Sequence, residues 1–513
     1  RRVLFRSNIK GANAKLVVND VDGLAIGSGN VRTNNGDINI TTRNGGSLAR
    51  TGAINAGTAN VTLTLAGGTS GNGLVTANQA SLVAGTSSSL NTTVNSVVAN
   101  VTGNAQSLAI YQTGRDLTVA SGNVRTNNGS LTLDVATPNN LTVLGNVRVG
   151  SGTVTLNAAG GAVNASTGQI SAATLNVAAN STSTLNTAVG TLNANIGGSG
   201  STLTVIEADD LTIGAGDVRT NNGLITITTQ TGGNLVRTGN ISAGTANVIL
   251  NLAGGTSGNG LVTANQVALT SVGSASLNTT VNSVVASVTG SSQPLAIYQI
   301  GRDLTVTSSN VRTNNGALTL DVAAPNNLTV LGNVTAGNAT VTLNAGGAVN
   351  VSTGQIVANT LNVTAGRTST LNTVVGTLNA NITGPGSTLN VTEADNLTIG
   401  SGNVRTNNGD ITLTTRGGGS LLRNGSINAG AANVTLNIAG GTNGSGVVSA
   451  NQVALTTGTA STINTAVTSV VANVASGTLT ISDADGIAIG SGGVRTLNAD
   501  ISIIAAGGSI DGA

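Results

Sequence analysis

One heptapeptide, Asn123-Val124-Arg125-Thr126-Asn127-Asn128-Gly129, recurs along the chain at a nearly fixed interval. Its arginine marks each copy, and successive marker arginines are 93, 94, 93, 93 and 90 residues apart. The markers are Arg32, Arg125, Arg219, Arg312, Arg405 and Arg495, the last in a degenerate copy. Asn and Gly enter left-handed backbone geometry at low cost, so the motif predicts a strand followed by a tight turn. Such a period indicates a repeat architecture.

Two kinds of unit alternate, which gives a longer repeat of about 187 residues. The acid-type units carry two acids shortly before the heptapeptide, whereas the tyrosine-type units carry Tyr111 and Tyr298, the only tyrosines of the chain. Between Ala56–Gln79 and its copy Ala243–Gln266, alternate apolar residues are retained and two intervening residues change. Val61, Leu63 and Leu65 become Val248, Leu250 and Leu252, while Thr62 and Thr64 become Ile249 and Asn251. This period of two indicates strands with one buried face.

A shorter period lies inside each unit. One unit divides into four pieces of similar length, each with two short strands and polar corners: Ser107–Gly129, Ser130–Gly152, Thr153–Ala173 and Thr174–Gly200. The sequence therefore predicts an all-β fold, a right-handed parallel β-helix (β-solenoid) of about 22 turns of 21–27 residues, with four turns a unit. At strand spacing its length is on the order of 100 Å. The rival architecture is a string of immunoglobulin-like sandwiches of about 93 residues each.

Composition favours the solenoid. The 513 residues include 73 Gly, no Cys, His, Met or Trp, and 1% aromatic residues. A wide globular core normally uses aromatic side chains, whereas small aliphatic residues suit a thin core that repeats. We therefore expect residues 8–513 to form a single continuous β-solenoid.

Residues 1–7 match no repeat. They resemble the conceptual translation of a sequencing-library adapter, as found at the ends of contigs assembled from environmental DNA, and we expect them to be an artefact. Without Arg1, Arg2 and Arg6 the chain has 17 basic and 18 acidic residues, so the formal net charge changes from +2 to −1. No cluster of basic residues with interleaved aromatics remains, so we expect no nucleic-acid partner. No apolar run reaches the length of a membrane span.

The acidic turns are weak candidates for a metal site. Each offers two acids, in the pairs Asp20 and Asp22, Glu207 and Asp209, Glu393 and Asp395, and Asp483 and Asp485. Alternate carboxylates suit Ca²⁺, but Ca²⁺ needs six to eight oxygen ligands and no longer Asp/Gly loop follows. We predict instead a solvated corner in which Asp fixes the turn, with no metal and no cofactor.

The marker arginines suggest a repeating positive surface. Copies four turns apart would lie about 19 Å apart, so the guanidinium groups cannot stack on each other. We predict a structural role in which each arginine donates to carbonyl groups of the neighbouring corner.

Catalysis has little support in these residues. Without His or Cys, the usual triads and zinc sites are excluded. Paired carboxylates remain, as in glycosidases, but the acids recur with the repeat and no aromatic platform for sugar rings is apparent. We predict no enzymatic activity. Two alternatives stay open: a polysaccharide-active β-helix enzyme, and an ice-binding or structural sheath solenoid with a flat Thr array.

The turns of type Asn140-Leu141-Thr142-Val143 and Asp210-Leu211-Thr212-Ile213, with the heptapeptide and Gly-Gly-Asn/Ser-Leu corners, resemble the shaft repeats of filamentous-haemagglutinin-type exoproteins. Those proteins are large Gram-negative surface adhesins secreted by the two-partner route. The Asn-Pro motifs of the family's secretion domain do not occur in these 513 residues.

The resemblance implies a shaft segment of a secreted or cell-surface adhesin of a Gram-negative bacterium. It implies an outer-membrane translocator as partner during secretion, and a glycan or protein on a host or neighbouring cell as the target of adhesion. It transfers no receptor-binding residues.

Overall fold

The computed structural model describes residues 3–512, and every helix or strand in that range is a β-strand. The chain divides into two compact units, residues 1–265 and 266–513. The strands of the first unit are β1 (Val3–Ala12), β2 (Leu16–Asp20), β3 (Leu24–Asn34), β4 (Ile38–Thr42), β5 (Leu48–Arg50), β6 (Ile54–Asn55), β7 (Val61–Leu65), β8 (Thr69–Ser70), β9 (Leu74–Ala84), β10 (Ser88–Asn104), β11 (Leu108–Gln112), β12 (Leu117–Asn127), β13 (Leu131–Val135), β14 (Leu141–Val143), β15 (Val147–Arg148), β16 (Thr153–Ala158), β17 (Val163–Ala179), β18 (Ser183–Ser199), β19 (Leu203–Glu207), β20 (Leu211–Asn221), β21 (Ile225–Thr229), β22 (Leu235–Arg237), β23 (Ile241–Ser242), β24 (Val248–Leu252) and β25 (Thr256–Ser257).

The chain passes from the first unit to the second within β26 (Leu261–Ser271). The strands of the second unit are β27 (Ala275–Ser291), β28 (Leu295–Gln299), β29 (Leu304–Asn314), β30 (Leu318–Val322), β31 (Leu328–Val330), β32 (Val334–Thr335), β33 (Thr340–Ala345), β34 (Val349–Asn350), β35 (Ile356–Ala365), β36 (Ser369–Pro385), β37 (Leu389–Glu393), β38 (Leu397–Asn407), β39 (Ile411–Thr415), β40 (Leu421–Arg423), β41 (Ile427–Asn428), β42 (Val434–Ile438), β43 (Thr442–Asn443), β44 (Val447–Thr457), β45 (Ser461–Val474), β46 (Leu479–Asp483), β47 (Ile487–Thr496), β48 (Ile501–Ala505) and β49 (Ile510–Gly512).

Strands of successive turns pair in parallel within each unit. In the first unit β11 pairs with β13 and β13 with β16, so Leu108, Leu131 and Val154 share one register position. In the second unit β28, β30 and β33 repeat this arrangement. The predicted all-β parallel solenoid is confirmed, and the antiparallel sheets of an immunoglobulin-like sandwich are excluded. The right-handed sense and a single continuous solenoid over residues 8–513 stay predictions.

The solenoid has about 24 turns rather than the predicted 22. Leu175 pairs with Leu192 of the next turn, and Leu361 pairs with Leu378 at the same interval. These turns are shorter than any of the predicted pieces, so a unit holds more than four turns. The prediction was wrong here because the short turn has no Asn-Gly or Gly-Gly corner to mark its end.

The core is a column of aliphatic side chains from alternate strand positions. In β7, Val61, Leu63 and Leu65 are buried, whereas Thr62 and Thr64 point outward, as the period of two predicts. Each turn covers the apolar faces of its two neighbours, so stability is expected to be a sum of contacts between adjacent turns.

The segment proposed to be an adapter artefact begins with Arg1 and Arg2, which lie outside the described residues. Residues 3–7 belong to β1, which pairs in parallel with β3. Their origin from an adapter stays a prediction.

Replacing Leu63 with Asp should destabilise the first unit strongly. Leu63 is 1% exposed, so the new carboxylate would be buried without a partner. We expect the free energy of unfolding to fall by more than about 4 kcal/mol. The neighbouring outward variant Thr64→Asp is the matched control, and its change should stay within about 0.5 kcal/mol. Limited proteolysis measures both, and equal resistance of the two variants would contradict the assigned facing.

Candidate functional site

Two polar residues of the heptapeptide, both asparagine in most copies, connect one turn to the next. Asn123 has φ 68° and Asn128 has φ 62°, both in the left-handed region. Oδ1 of Asn123 accepts a hydrogen bond from the backbone N–H of Asn146 at 2.7 Å, and Oδ1 of Asn128 accepts one from Ser151 at 3.2 Å. These side chains satisfy amide groups at corners where strand pairing stops. Equivalent bonds to the first position occur at Asn30, Asp217, Asn310 and Asn403.

The closing glycine has a different role. Gly129 does not adopt left-handed φ, which occurs instead at the first and sixth residues of the motif, Asn123 and Asn128. A Cβ on Gly129 would lie 1.9 Å from the carbonyl oxygen of Gln106 in the preceding turn, so only Gly fits. The buried Thr126 donates its hydroxyl to the carbonyl oxygen of Gly129 and closes the turn.

The marker arginines are exposed and link adjacent turns. Nε of Arg125 donates to Oδ1 of Asn100 at 3.0 Å, and Nε of Arg312 donates to Oγ of Ser287 at 3.0 Å. The predicted acceptor is wrong, because each arginine extends along the sheet and donates to the side chain opposite it instead of to carbonyl groups of the neighbouring corner. The structural role of these arginines stays a prediction. Arg32, Arg219 and Arg405 bond Asn8, Asn195 and Asn381 in the same way, and Arg495 lies in register with Asn473.

The two acids of each acidic turn occupy different environments. Glu207, Glu393 and Asp483 are buried, and Asp20 is half-buried. The second acids, Asp22, Asp209, Asp395 and Asp485, are more exposed than these buried residues. The solvated setting predicted for these turns is therefore wrong for the first acid of three pairs, whereas Asp20 and Asp483 do fix their turns by accepting a hydrogen bond from the N–H two residues later. The reason is register: Glu207 ends β19 two residues after the buried Val205, so the strand alternation directs it inward.

The buried carboxylates bind backbone amides of their own and the preceding turn. Oε1 of Glu207 accepts hydrogen bonds from the N–H groups of Val189 at 3.1 Å and Ala208 at 3.0 Å, and Thr187 contributes a further bond. In Glu393 one carboxylate oxygen accepts from Val375 at 3.1 Å. Burial of such a group requires these partners.

The tyrosine-type units carry an amide at the same place. Oε1 of Gln112 accepts from Thr92 at 2.7 Å and from the N–H of Val94 at 3.2 Å, while its Nε2 donates to the carbonyl oxygen of Val94 at 2.6 Å. Gln299 makes the equivalent bonds. We call this place the inner polar position, which comprises Asp20, Gln112, Glu207, Gln299, Glu393 and Asp483.

The geometry of the acidic turns does not gather ligands for a cation. At Glu207 and Asp209 the first carboxylate points inward, and the second lies outside the core. Asp22 and Asp485 use their N–H groups to bond Oδ1 of Asp20 and Asp483, at 2.9 and 3.1 Å. Among residues 3–512 no three acidic, His or Cys side chains converge in a metal-binding group.

Two open depressions border the acidic turns of the second unit. One, of about 440 Å³, lies beside Asp395 and Asn396, and the other, of about 500 Å³, lies beside Asp485 and Gly486. Alanine, valine and glycine line much of both depressions.

Burial raises the pKa of two inner acids, Glu207 and Glu393. It raises the pKa of Glu207 from 4.5 to about 7, against the opposing effect of its hydrogen bonds. Hydrogen bonds from the backbone and side chain of Asn234 lower the pKa of Asp210. The hydrogen bond with Asp483 raises the pKa of Asp485.

The stability of the solenoid should therefore fall as pH rises from about 4.5 to 7. A carboxyl whose pKa is higher in the folded state favours folding below its unfolded pKa, and this contribution is lost as pH rises through the folded pKa. We expect Glu207→Gln with Glu393→Gln to remove most of this loss, which is roughly 2–3 kcal/mol at Glu207, because Gln already occupies the position in the other units. Thermal unfolding followed by circular dichroism at pH 4 to 8 measures it.

Gln112→Glu is the reciprocal control. It should introduce a new loss of stability between the same pH values, since the carboxylate cannot donate to Val94 as the amide does. Identical pH profiles for the wild type and both variants would contradict the role assigned to the inner polar position.

The sequence reasoning missed three buried arginines, Arg50, Arg237 and Arg423, all with 0% exposure. Each ends a three-residue strand two positions after a buried leucine, so the period of two could have identified them. The tyrosine-type units have Val143 and Val330 at this place.

Each buried guanidinium is held mainly by backbone carbonyl groups. Nη1 of Arg423 donates to the carbonyl oxygen of Gly446 and Nη2 to that of Thr462 at 2.6 Å, while Nε donates to Oγ1 of Thr442 at 3.2 Å. Arg50 is bound in the same way. Burial lowers the pKa of Arg50, Arg237 and Arg423 to about 10, so all three stay charged at neutral pH.

Removing one of these guanidinium groups should be costly. Arg423→Met keeps an apolar stem of similar length but removes the guanidinium that donates to the carbonyl groups of Gly446 and Thr462. We expect a loss of about 3 kcal/mol in the free energy of unfolding, measured by urea denaturation. Arg405→Met, at an exposed marker arginine of the same unit, should change it by less than about 1 kcal/mol. Similar effects for the two variants would contradict the buried role.

Comparison of the chain with protein-family models, with curated proteins and with solved structures finds no match. Between Val3 and Gly512 no helix is long and apolar enough to cross a membrane.

Proposed function

We propose that this chain is a structural shaft segment of a large secreted or cell-surface bacterial adhesin. Its role is to hold binding regions at a fixed distance from the surface that anchors them. The filamentous-haemagglutinin-type resemblance of the repeats supports the finer assignment to that class of exoprotein and to secretion by the two-partner route.

The observation that carries the proposal is the use of the heptapeptide. Asn, Arg, Thr and Gly of this motif are engaged within the turn or with the turns above and below it, as at Asn123, Arg125, Asn128 and Gly129. A motif whose polar groups repeatedly join adjacent turns suits a protein in which stacking itself is the useful property. Regular stacking of this kind gives a stiff support of defined length.

The inner acids support a non-enzymatic role. The carboxylates of Glu207 and Glu393 are buried against backbone amides, where they stabilise the turn instead of facing a substrate. The second acids recur with the repeat instead of gathering in one cleft, as the carboxylate pair of a glycoside hydrolase does.

The partners follow from the proposed class. We propose an outer-membrane translocator during secretion and a glycan or protein of a host or neighbouring cell as the target of adhesion. The location would be the surface or surroundings of a Gram-negative bacterium.

A length series tests the shaft role. The chain would be placed between a bacterial surface anchor and a binding module of known ligand, on cells with a thick polysaccharide coat. Deleting Ala56–Ser242 removes one long repeat and joins Asn55 to Ala243, which preserves the register. We expect adhesion to the ligand to fall several-fold on deletion and to recover when the repeat is restored.

A Gly/Ser linker whose mean end-to-end distance matches the length of the deleted repeat is the control. Such a linker is a flexible coil, so its mean end-to-end distance grows only with the square root of its length. It holds the binding module at no fixed distance. Full adhesion with the linker would overturn the proposal, because it would show that ordered stacking is not needed.

A further inference from the structure

The outward faces of the two kinds of unit have changed to different extents between copies. In the first tyrosine-type unit, the strands β11, β13 and β16 stack on one another in successive turns. Their counterparts in the second tyrosine-type unit are β28, β30 and β33. Six outward positions on these strands are all identical between the copies. The pairs are Ala109/Ala296, Tyr111/Tyr298, Thr132/Thr319, Asp134/Asp321, Thr155/Thr342 and Asn157/Asn344.

The acid-type units provide a matched comparison. Their strands β2, β4 and β7 also stack in successive turns, and the counterparts in the next acid-type unit are β19, β21 and β24. Here only Thr41/Thr228 is retained. The other five pairs differ: Val17/Thr204, Asn19/Ile206, Asn39/Thr226, Thr62/Ile249 and Thr64/Asn251. Folding alone therefore tolerates change at these outward positions, whereas the tyrosine-type faces keep all six residues between their two copies.

The retained face forms a line of functional groups across successive turns. Tyr111 is 43% exposed and lies in register between Asn91 of the preceding turn and Asp134 of the next. Asn157 follows one turn later and donates from Nδ2 to Oδ1 of Asp134 at 2.9 Å. We call this line the tyrosine patch.

The second unit carries the same patch. Tyr298 is 42% exposed and lies in register between Asn278 and Asp321, and Asn344 follows. Adjacent members of a patch are one strand spacing apart, about 4.8 Å, so the four side chains extend over about 14 Å. This is comparable to the length of a short oligosaccharide.

We propose that each tyrosine patch binds a neutral glycan. The exposed tyrosine ring offers an apolar face to the C–H groups of a pyranose, and the ring adds large contact area at low entropic cost. The carboxylate of Asp134 or Asp321 and the amides of the flanking asparagines supply acceptors and donors for sugar hydroxyl groups.

The charge of the patch selects the class of sugar. The six retained outward positions of β11, β13 and β16 include one acid and no basic residue, so the patch repels sulfated or uronic-acid polymers. The flat surface suits the side of a sugar chain. The sequence reasoning found no aromatic platform because each platform is a single tyrosine.

This inference adds to the proposed function and does not depend on it. A shaft that bound no glycan would still pass the length-series test, and a chain that failed that test would still bind glycan through the patch.

The chain contains its own reporter for the experiment. It has two tyrosines and no tryptophan, so tyrosine emission comes from the two patches alone. Neutral oligosaccharides of gluco, galacto and manno configuration would be titrated into the full chain, with polygalacturonate as the anionic comparison. We expect a saturable change in emission with at least one neutral sugar, with a Kd at or below about 1 mM, and none with polygalacturonate.

The double variant Asp134→Ala with Asp321→Ala keeps the reporter and should weaken binding at least tenfold. Tyr111→Ala with Tyr298→Ala should abolish binding, as measured by calorimetry, whereas the two Tyr→Phe changes should keep it within a few-fold. Ile206→Ala, at the equivalent outward position of an acid-type unit, is the control and should bind as the wild type does.

Three binding results would each overturn the proposal. They are no binding to any neutral sugar of the panel, undiminished binding by the aspartate double variant, and equal or tighter binding of polygalacturonate. A change in tyrosine emission that depends on protein concentration alone would also overturn it, because it would identify the patch as a contact between copies of the chain instead.

Discussion

The stacking of turns depends on how the backbone amide groups at the corners find hydrogen-bond partners. Along the strands, parallel pairing satisfies the backbone, but at each corner the chain changes direction and its amide groups lose their strand partners. Asn123 and Asn128 solve this by accepting hydrogen bonds from the turn above while their own backbone adopts the left-handed angles that the bend requires. One residue type thus provides both the geometry and the acceptor, which explains why Asn dominates the motif.

The interior shows a second, less expected regularity. Acid-type units combine an inner acid with a buried arginine, as in Glu207 and Arg237, whereas tyrosine-type units combine Gln112 with Val143. The acid-type interior therefore holds one acid and one base, and the tyrosine-type interior holds two uncharged side chains, although Glu207 and Arg237 are held by different backbone groups. Both solutions fill the same places in the fold, so the choice between them changes the response to pH without changing the course of the chain.

The fold was predictable because the sequence repeats the same local signals many times. The alternation at Val61, Leu63 and Leu65 identifies a strand and shows which of its side chains point inward. The Asn-Gly corners mark most of the turn boundaries. The short turns between Leu175 and Leu192 were missed because they end without such a corner. The buried arginines were missed because a charged residue is normally assigned to the surface, and only their register with Leu48, Leu235 and Leu421 reveals them. The inward direction of Glu207 was missed for the same reason. A carboxylate at the end of a strand suggests a solvated turn, and only the alternation of β19, continued to its last residue, shows that Glu207 points inward.

The reach of Arg50 has a consequence for how the molecule comes apart. Its guanidinium bonds Thr69 of the next turn and Ser89 of the turn after that, so one side chain fastens three successive layers. Elsewhere the stack has mainly nearest-neighbour links and can peel one layer at a time. At Arg50 and at Arg423, one turn cannot detach alone without separating the guanidinium from its carbonyl partners. Unfolding there must release several turns together or leave an unpartnered cation. Unravelling from an end is therefore expected to pause at these arginines and to proceed in discrete jumps.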